Sequence, residues 1–93
     1  MTVKILIKRA VTESSFEGLD NLLRRMRSVC LMQPGYILGQ TLKRLDKPGE
    51  FLVVSVWESL EDWENWFNSS ERREIQVEID HLLGEETRYG IYS

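Results

Sequence analysis

The chain has 93 residues, 42% hydrophobic and 29% charged, with a net charge of −3. That is the length of a single domain spanning residues 1–93, with room for two packed layers but not for a catalytic cleft between domains. Ordinary globular composition excludes a disordered or collagen-like chain, and 15 acidic against 12 basic residues argues against a nucleic-acid partner.

Residues 2–10 alternate, with Val3, Ile5 and Ile7 on one face and Lys4, Leu6 and Lys8 on the other, and β-branched residues dominate, which predicts a strand. Ser14 to Glu17 has the spacing of a capping box. Phe16, Leu19, Leu22, Leu23, Met26, Val29 and Cys30 then recur at helical spacing and stop before Pro34 and Gly35. Arg24, Arg25 and Arg27 fall off that stripe and read as its wet face. Tyr36 to Leu45 and Glu50 to Glu58 predict a hairpin around the turn Asp46 to Gly49. Ser59 to Asp62 resembles a second capping box, opening a short helix with Leu60, Trp63, Trp66 and Phe67. Glu71 to Leu83 predicts a third helix, closed by Gly84 as its C-terminal cap. Glu86 to Tyr92 predicts a last strand. The order β-α-β-β-α-α-β is the α+β, ferredoxin-like pattern: a four-stranded antiparallel sheet with helices on one face.

The third strand is apolar on both faces, with Phe51, Val53 and Trp57 on one and Leu52, Val54 and Val56 on the other. Helices on one side leave the second face wet, which a monomer rarely tolerates. The expected cover is a second copy of the same sheet in a two-fold homodimer.

The lone Cys30 excludes an internal disulfide, and with the lone His81 it excludes a zinc or iron–sulfur ligand set within the chain. No glycine-rich phosphate loop or nucleophile elbow is present. The longest nearly apolar stretch, Phe51 to Trp57, is far short of the ~20 residues of a membrane helix. The first residues lack the apolar core and cleavage site of a signal peptide, so a cytoplasmic location and no membrane partner are expected.

The order and spacing of Gln33-Pro34-Gly35, of Val56-Trp57-Glu58-Ser59, and of Trp66 with Ser69 and Ser70 resemble the antibiotic biosynthesis monooxygenase family, of dimeric α/β-barrel fold. The resemblance spans almost the whole chain. It implies a ligand pocket between sheet and helices, and cofactor-free oxygenation of anthrones, quinols or polyphenols by O2. In the anthrone-oxidising type the site tryptophan corresponds to Trp57 and a tyrosine to Trp63. The asparagine falls at Val53 and the arginine near Gln76. In the haem-degrading type a pocket tryptophan corresponds to Trp66, while the haem-ligating histidine falls at Gln76 and the strand-one asparagine near Lys8. The tryptophans of both types are present and neither polar set is complete. No cofactor is therefore expected, haem degradation ranks last, and a ligand-binding homodimer without turnover is the main rival.

Trp66, Trp57 and His81 are the candidate catalytic residues, with Trp63, Tyr36, Arg9, Gln40 and Gln76 as candidate substrate-binding residues. Each has a structural alternative. Trp63 and Phe67 form an i, i+4 pair that reads as core. Trp66, off that pair by one position, reads equally as core or as pocket wall, and Trp57 at a strand end is similar. His81 reads as a surface histidine beside Glu78 and Asp80, or as a general base. Tyr89 and Arg72 join Arg9, Gln40, Gln76 and Tyr36 as the polar groups able to reach a pocket near the sheet. Cys30, on the apolar stripe, reads as a small buried hydrophobe. The acidic run Glu58, Glu61, Asp62 and Glu64 reads as a solvated helix N-terminus rather than a metal site.

Overall fold

Alternation over Val3–Ala10 places Val3, Ile5 and Arg9 inside and Lys4, Lys8 and Ala10 outside in strand β1. In the computed structural model, which describes residues 1–93, β1 is followed by α1 (Phe16–Cys30), β2 (Tyr36–Lys43) and β3 (Glu50–Trp57). Then come α2 (Leu60–Phe67), α3 (Ser70–Leu83) and β4 (Tyr89–Tyr92). The strands form one sheet in the order β2-β3-β1-β4, every pair antiparallel. This is the expected α+β, ferredoxin-like arrangement. No helix is long and apolar enough to cross a membrane.

Register decides which residues share a face. Val3, Ile5, Ile7 and Arg9 pair with Trp57, Ser55, Val53 and Phe51, and this face looks at the helices. The core there is Val3, Ile5, Trp57, Trp63 and Trp66. A second cluster, Leu19 with Ile75 and Ile79, joins α1 to α3, and Met26 and Val29 pack against both clusters. Trp57 is wholly buried. Removing a buried aromatic of this kind costs about 3–5 kcal/mol, so this residue carries much of a small core.

The helix ends follow their caps, with one difference from expectation. Ser59 is extended (φ −151°, ψ 160°), and its Oγ accepts the Asp62 amide at 3.1 Å; Ser69 Oγ likewise accepts the Arg72 amide at 3.3 Å. The box over Ser14 to Glu17 does not form. Residues Glu13–Ser15 make a short 3₁₀ turn, so Ser15 enters α1 already near helical geometry (φ −98°, ψ −5°) and offers no capping oxygen. Ser14 Oγ pairs with Thr12 Oγ1 instead, at 3.2 Å. Gly84 closes α3 in the left-handed region at φ 72°.

β2 and β4 are shorter than their patterns by more than a single end residue. Leu45 lies in the turn and is exposed. β4 starts at Tyr89 because the backbone N–H of Thr87 donates to Asp80 Oδ1 on α3 (3.2 Å) and so is not available to a strand partner.

On the outer face Leu6, Leu52, Val54 and Val56 lie together with Leu38 and Leu42, which are 50% and 42% exposed. At the hairpin end of that face Glu50 takes Lys8 Nζ at 2.9 Å and Arg44 Nη1 at 2.5 Å, with its own side chain only 9% exposed. These two hydrogen-bonded cations hold the Glu50 carboxyl at about 2, below its ordinary 4.5. A folded value below the unfolded one adds stability above pH 4.5, and that contribution is lost as pH falls from there towards about 2. Thermal melts of Glu50→Gln against wild type are expected to show a lower Tm at neutral pH and a difference that shrinks below pH 4.5. A constant difference across that range would contradict this account of the ion pair.

Candidate functional site

Sheet and helices do not close completely. A cavity of about 340 Å³ lies between them, at the small end of the roughly 300–1,000 Å³ typical of ligand sites. Ile5, Ile7 and Val53 form its sheet wall, and Leu23 and Met26 on α1 with Trp63 and Trp66 on α2 form its helix wall.

The tryptophans are held by one another and by the strands. Trp57 lies along Trp66 (centroids 6.4 Å apart, 22° between planes) and meets Tyr36 edge-on (5.4 Å, 85°). Its Nε1 donates to Ser55 Oγ at 3.1 Å. Trp63 packs on Phe67 at 5.0 Å and on Tyr89 at 6.1 Å. The Tyr36 ring crosses Gly39, where a Cβ would stand 2.5 Å from the phenol oxygen, so only glycine lets the tyrosine lie there. A register irregularity between Tyr36 and Leu38 turns the ring toward the helices.

One end of the cavity is polar. Arg9 arrives from β1 and Arg72 from the first turn of α3, and they are 5% and 6% exposed. Arg72 donates through Nη1 to the Phe67 carbonyl (3.0 Å) and through Nη2 to the Tyr89 hydroxyl. Its guanidinium lies over the Phe67 ring at 4.2 Å and the Tyr89 ring at 5.3 Å. Arg9 Nε is buried with no hydrogen-bond partner. Burial lowers the Arg9 guanidinium from its ordinary value, an effect that nearby Tyr89 and Asp80 oppose. It remains a cation at any ordinary pH. Burial likewise raises the Tyr89 phenol, against the pull of Arg72. Gln76 donates its amide N–H groups to Asp80 Oδ1 (2.8 Å) and Thr87 Oγ1 (2.7 Å), which leaves its carbonyl oxygen for a ligand.

Of the residues expected at a site, Trp66, Trp63, Tyr36, Arg9, Gln40 and Gln76 all border the cavity. Gln40 does so from the edge strand, since its register partner Val54 places it on the outer face. Two do not reach it. Trp57 is buried behind Trp66 and Tyr36, with its one polar atom already satisfied, so it supports the wall without lining the cavity. His81 is exposed near the end of α3 and takes no part in the cavity. The wet face assigned to α1 is exposed at Arg24, Arg25 and Arg27, and part of it also borders the cavity. Asp20, Leu23, Arg27 and Cys30 recur at helical spacing along the cavity, and Arg24 joins them at its mouth, 3.0 Å from Asp20. That stripe is visible in the sequence on the flank of the apolar one, although nothing there shows that it borders a void.

The profile of the antibiotic biosynthesis monooxygenase family matches residues 2–78. The chain belongs to this family. Among solved structures, a conserved protein from Methanosarcina mazei Go1 superposes with a TM-score of 0.90 at 20% identity, covering 99% of this chain and 91% of that one. SnoaB, a cofactor-independent oxygenase from Streptomyces nogalater, gives 0.86 at 15% identity, with 99% and 91% covered. Rv0793 from Mycobacterium tuberculosis gives 0.87 at 14% identity, with 100% and 94% covered. At these identities the likeness establishes the fold. No curated protein sequence matches significantly.

Cys30 lines the cavity of this family member, and burial pushes its thiol up to about 12. The thiol is therefore protonated at neutral pH and inert as a nucleophile. Alkylation by iodoacetamide is expected to run more than about a hundredfold slower in the folded protein than in denaturant. Equal rates, followed by mass spectrometry, would show that the thiol is not enclosed.

Proposed function

We propose that this protein is a cofactor-independent monooxygenase that oxidises a small electron-rich aromatic compound, a quinol, anthrone or polyphenol, with O2. The observation that carries the reading is the cavity itself: an aromatic and aliphatic slot whose one polar end is built from buried guanidinium groups. Family membership and the likeness to an oxygenase described as cofactor-independent support it.

The chemistry asks little of the protein beyond placement. The substrate gives its proton to water at the cavity mouth, its anion passes one electron to O2, the two radicals combine into a peroxide anion, and that anion takes a proton back to become the hydroperoxide. Loss of water from the carbon bearing the hydroperoxide and a hydrogen leaves a carbonyl there. One oxygen atom stays in the product and the other leaves as water, so the substrate is its own reductant. Arg9 and Arg72 favour the ionised form through their positive field. Trp63 and Trp66 hold the ring and exclude water from the slot.

O2 uptake across a panel of quinols, anthrones and polyphenols is expected to single out one compound class. Trp66→Phe is expected to lower kcat/KM for it by about tenfold, because the slot loses shape against the ring. No uptake above the blank on any compound, with ligand binding retained, would replace the oxygenase with a ligand-binding module.

The outer sheet face supports a homodimer. Leu6, Leu38, Leu42, Leu52, Val54 and Val56 form one apolar surface, while the helices pack on the other face. A second copy related by a two-fold axis covers it with the same residues. Light scattering after size exclusion is expected to give a dimer at micromolar concentration, and Leu38→Asp, at a half-exposed position, a folded monomer. A monomeric wild type would remove this part of the proposal.

A further inference from the structure

We propose that the polar end of the cavity is a carboxylate site: the ligand is an aromatic acid whose carboxylate rests on the guanidinium groups of Arg9 and Arg72, beside the Tyr89 hydroxyl. The inference shares its cavity with the oxygenase reading and narrows the substrate class.

A cation taken out of water is expensive unless an anion or a full set of acceptors replaces the water. Arg9 is 5% exposed and its Nε has no acceptor. Arg72 is 6% exposed and spends two of the five guanidinium N–H groups, on the Phe67 carbonyl and the Tyr89 hydroxyl. Neither meets an acid: the five ion pairs of the molecule are Lys8–Glu50, Arg24–Asp20, Arg25–Glu78, Arg44–Asp46 and Arg44–Glu50. The carboxylate nearest in effect, Asp80, is committed elsewhere, its Oδ1 accepting from Gln76 Nε2 and from both the backbone N and Oγ1 of Thr87. Two buried cations thus share the field of one carboxylate and touch none, at the end of a cavity whose sheet and helix walls are largely apolar.

The missing charge is one that the ligand carries on arrival. No histidine, glutamate or lysine lines the cavity, and its one acid, Asp20, sits at the mouth against Arg24. A neutral phenol entering this slot meets no base to take its proton, whereas a carboxylate is ionised already. Arginine also offers a planar fork of N–H donors that fits a carboxylate, and its field then favours a hydroxyl ionising on the same ring. The approach has the same sign. Four arginines and a single aspartate line the cavity of a protein whose net charge is −3, so the local field draws anions that the molecule as a whole repels.

The test is a titration of tryptophan fluorescence with a hydroxynaphthoate and with its uncharged primary amide. The acid is expected to bind at least about tenfold more tightly than the amide, and more weakly as salt rises. Arg9→Gln is expected to remove most of the preference for the acid over the amide, and retained binding of the amide reports an intact cavity. If that variant does not fold, the wild-type comparison of acid with amide still decides. Equal affinities for acid and amide, no binding of either, or an acid indifferent to Arg9→Gln in a folded variant would each overturn the inference. Failure of the oxygenase reading looks different: the acid binds through Arg9 but no O2 is consumed. Conversely, O2 uptake with neutral quinols as efficient as with acids keeps the oxygenase and removes the carboxylate site.

Discussion

Trp57 is where the sheet and the helices are locked together. No part of it meets solvent, its ring is gripped by Tyr36 and Trp66, and its indole N–H is satisfied within its own strand by Ser55. A chain of this length has little core to spare, so one indole at a strand end sets the spacing between layers. Trp66 can lie flat as a cavity wall because Trp57 backs it. Tyr36 can lie across β2 because Gly39 leaves it room. The void between sheet and helices accompanies these rigid aromatic contacts, which pack α2 firmly at one end, while α1 contributes Met26, Val29 and Cys30 to the same core.

The other end of the void is organised by hydrogen bonds. Ser69 caps α3, which fixes Arg72 in its first turn, and Arg72 in turn ties Phe67 to Tyr89. Gln76, Asp80 and Thr87 tie α3 to the segment before β4. This network holds polar groups inside a small protein without filling the space between them. Bound together this way, the groups are preorganised: their positions are set by folding, so a ligand that matches them meets no further ordering cost on their side.

The same sheet serves two faces by different means. Toward the helices it is apolar with a buried arginine at one end. Away from them it is apolar with an ion-paired glutamate at one end, where Lys8 and Arg44 neutralise Glu50. Charge is thus placed at the ends of strands, where it marks the limits of each apolar surface, and the centres of both faces stay free for packing.

Element order, the helix-facing residues of β1 and β3, and the caps at Ser59 and Gly84 were legible in the sequence, because strand alternation, helical periodicity and capping are local rules. So was the surplus of apolar face on β3. The local rules failed where a distant partner intervened. Thr87 gives its amide to Asp80, which shortens β4, and the turn at Glu13–Ser15 takes the place of a capping hydroxyl. The sequence singled out the aromatic cluster that borders the cavity but not its division of labour between Trp57 behind the wall and Trp66 in it. It marked His81 for its chemistry, although the helical phase of α3 turns that side chain to water. By itself, then, the sequence determined the fold, the family and an aromatic-rich interior. Only the tertiary structure decided that Arg9 and Arg72, far apart in the chain, border one void with no acid in contact with either. The physical reason is that the charge balance of a buried site is a property of every group within a few ångströms, and no period or motif in one strand or helix records what the others bring there.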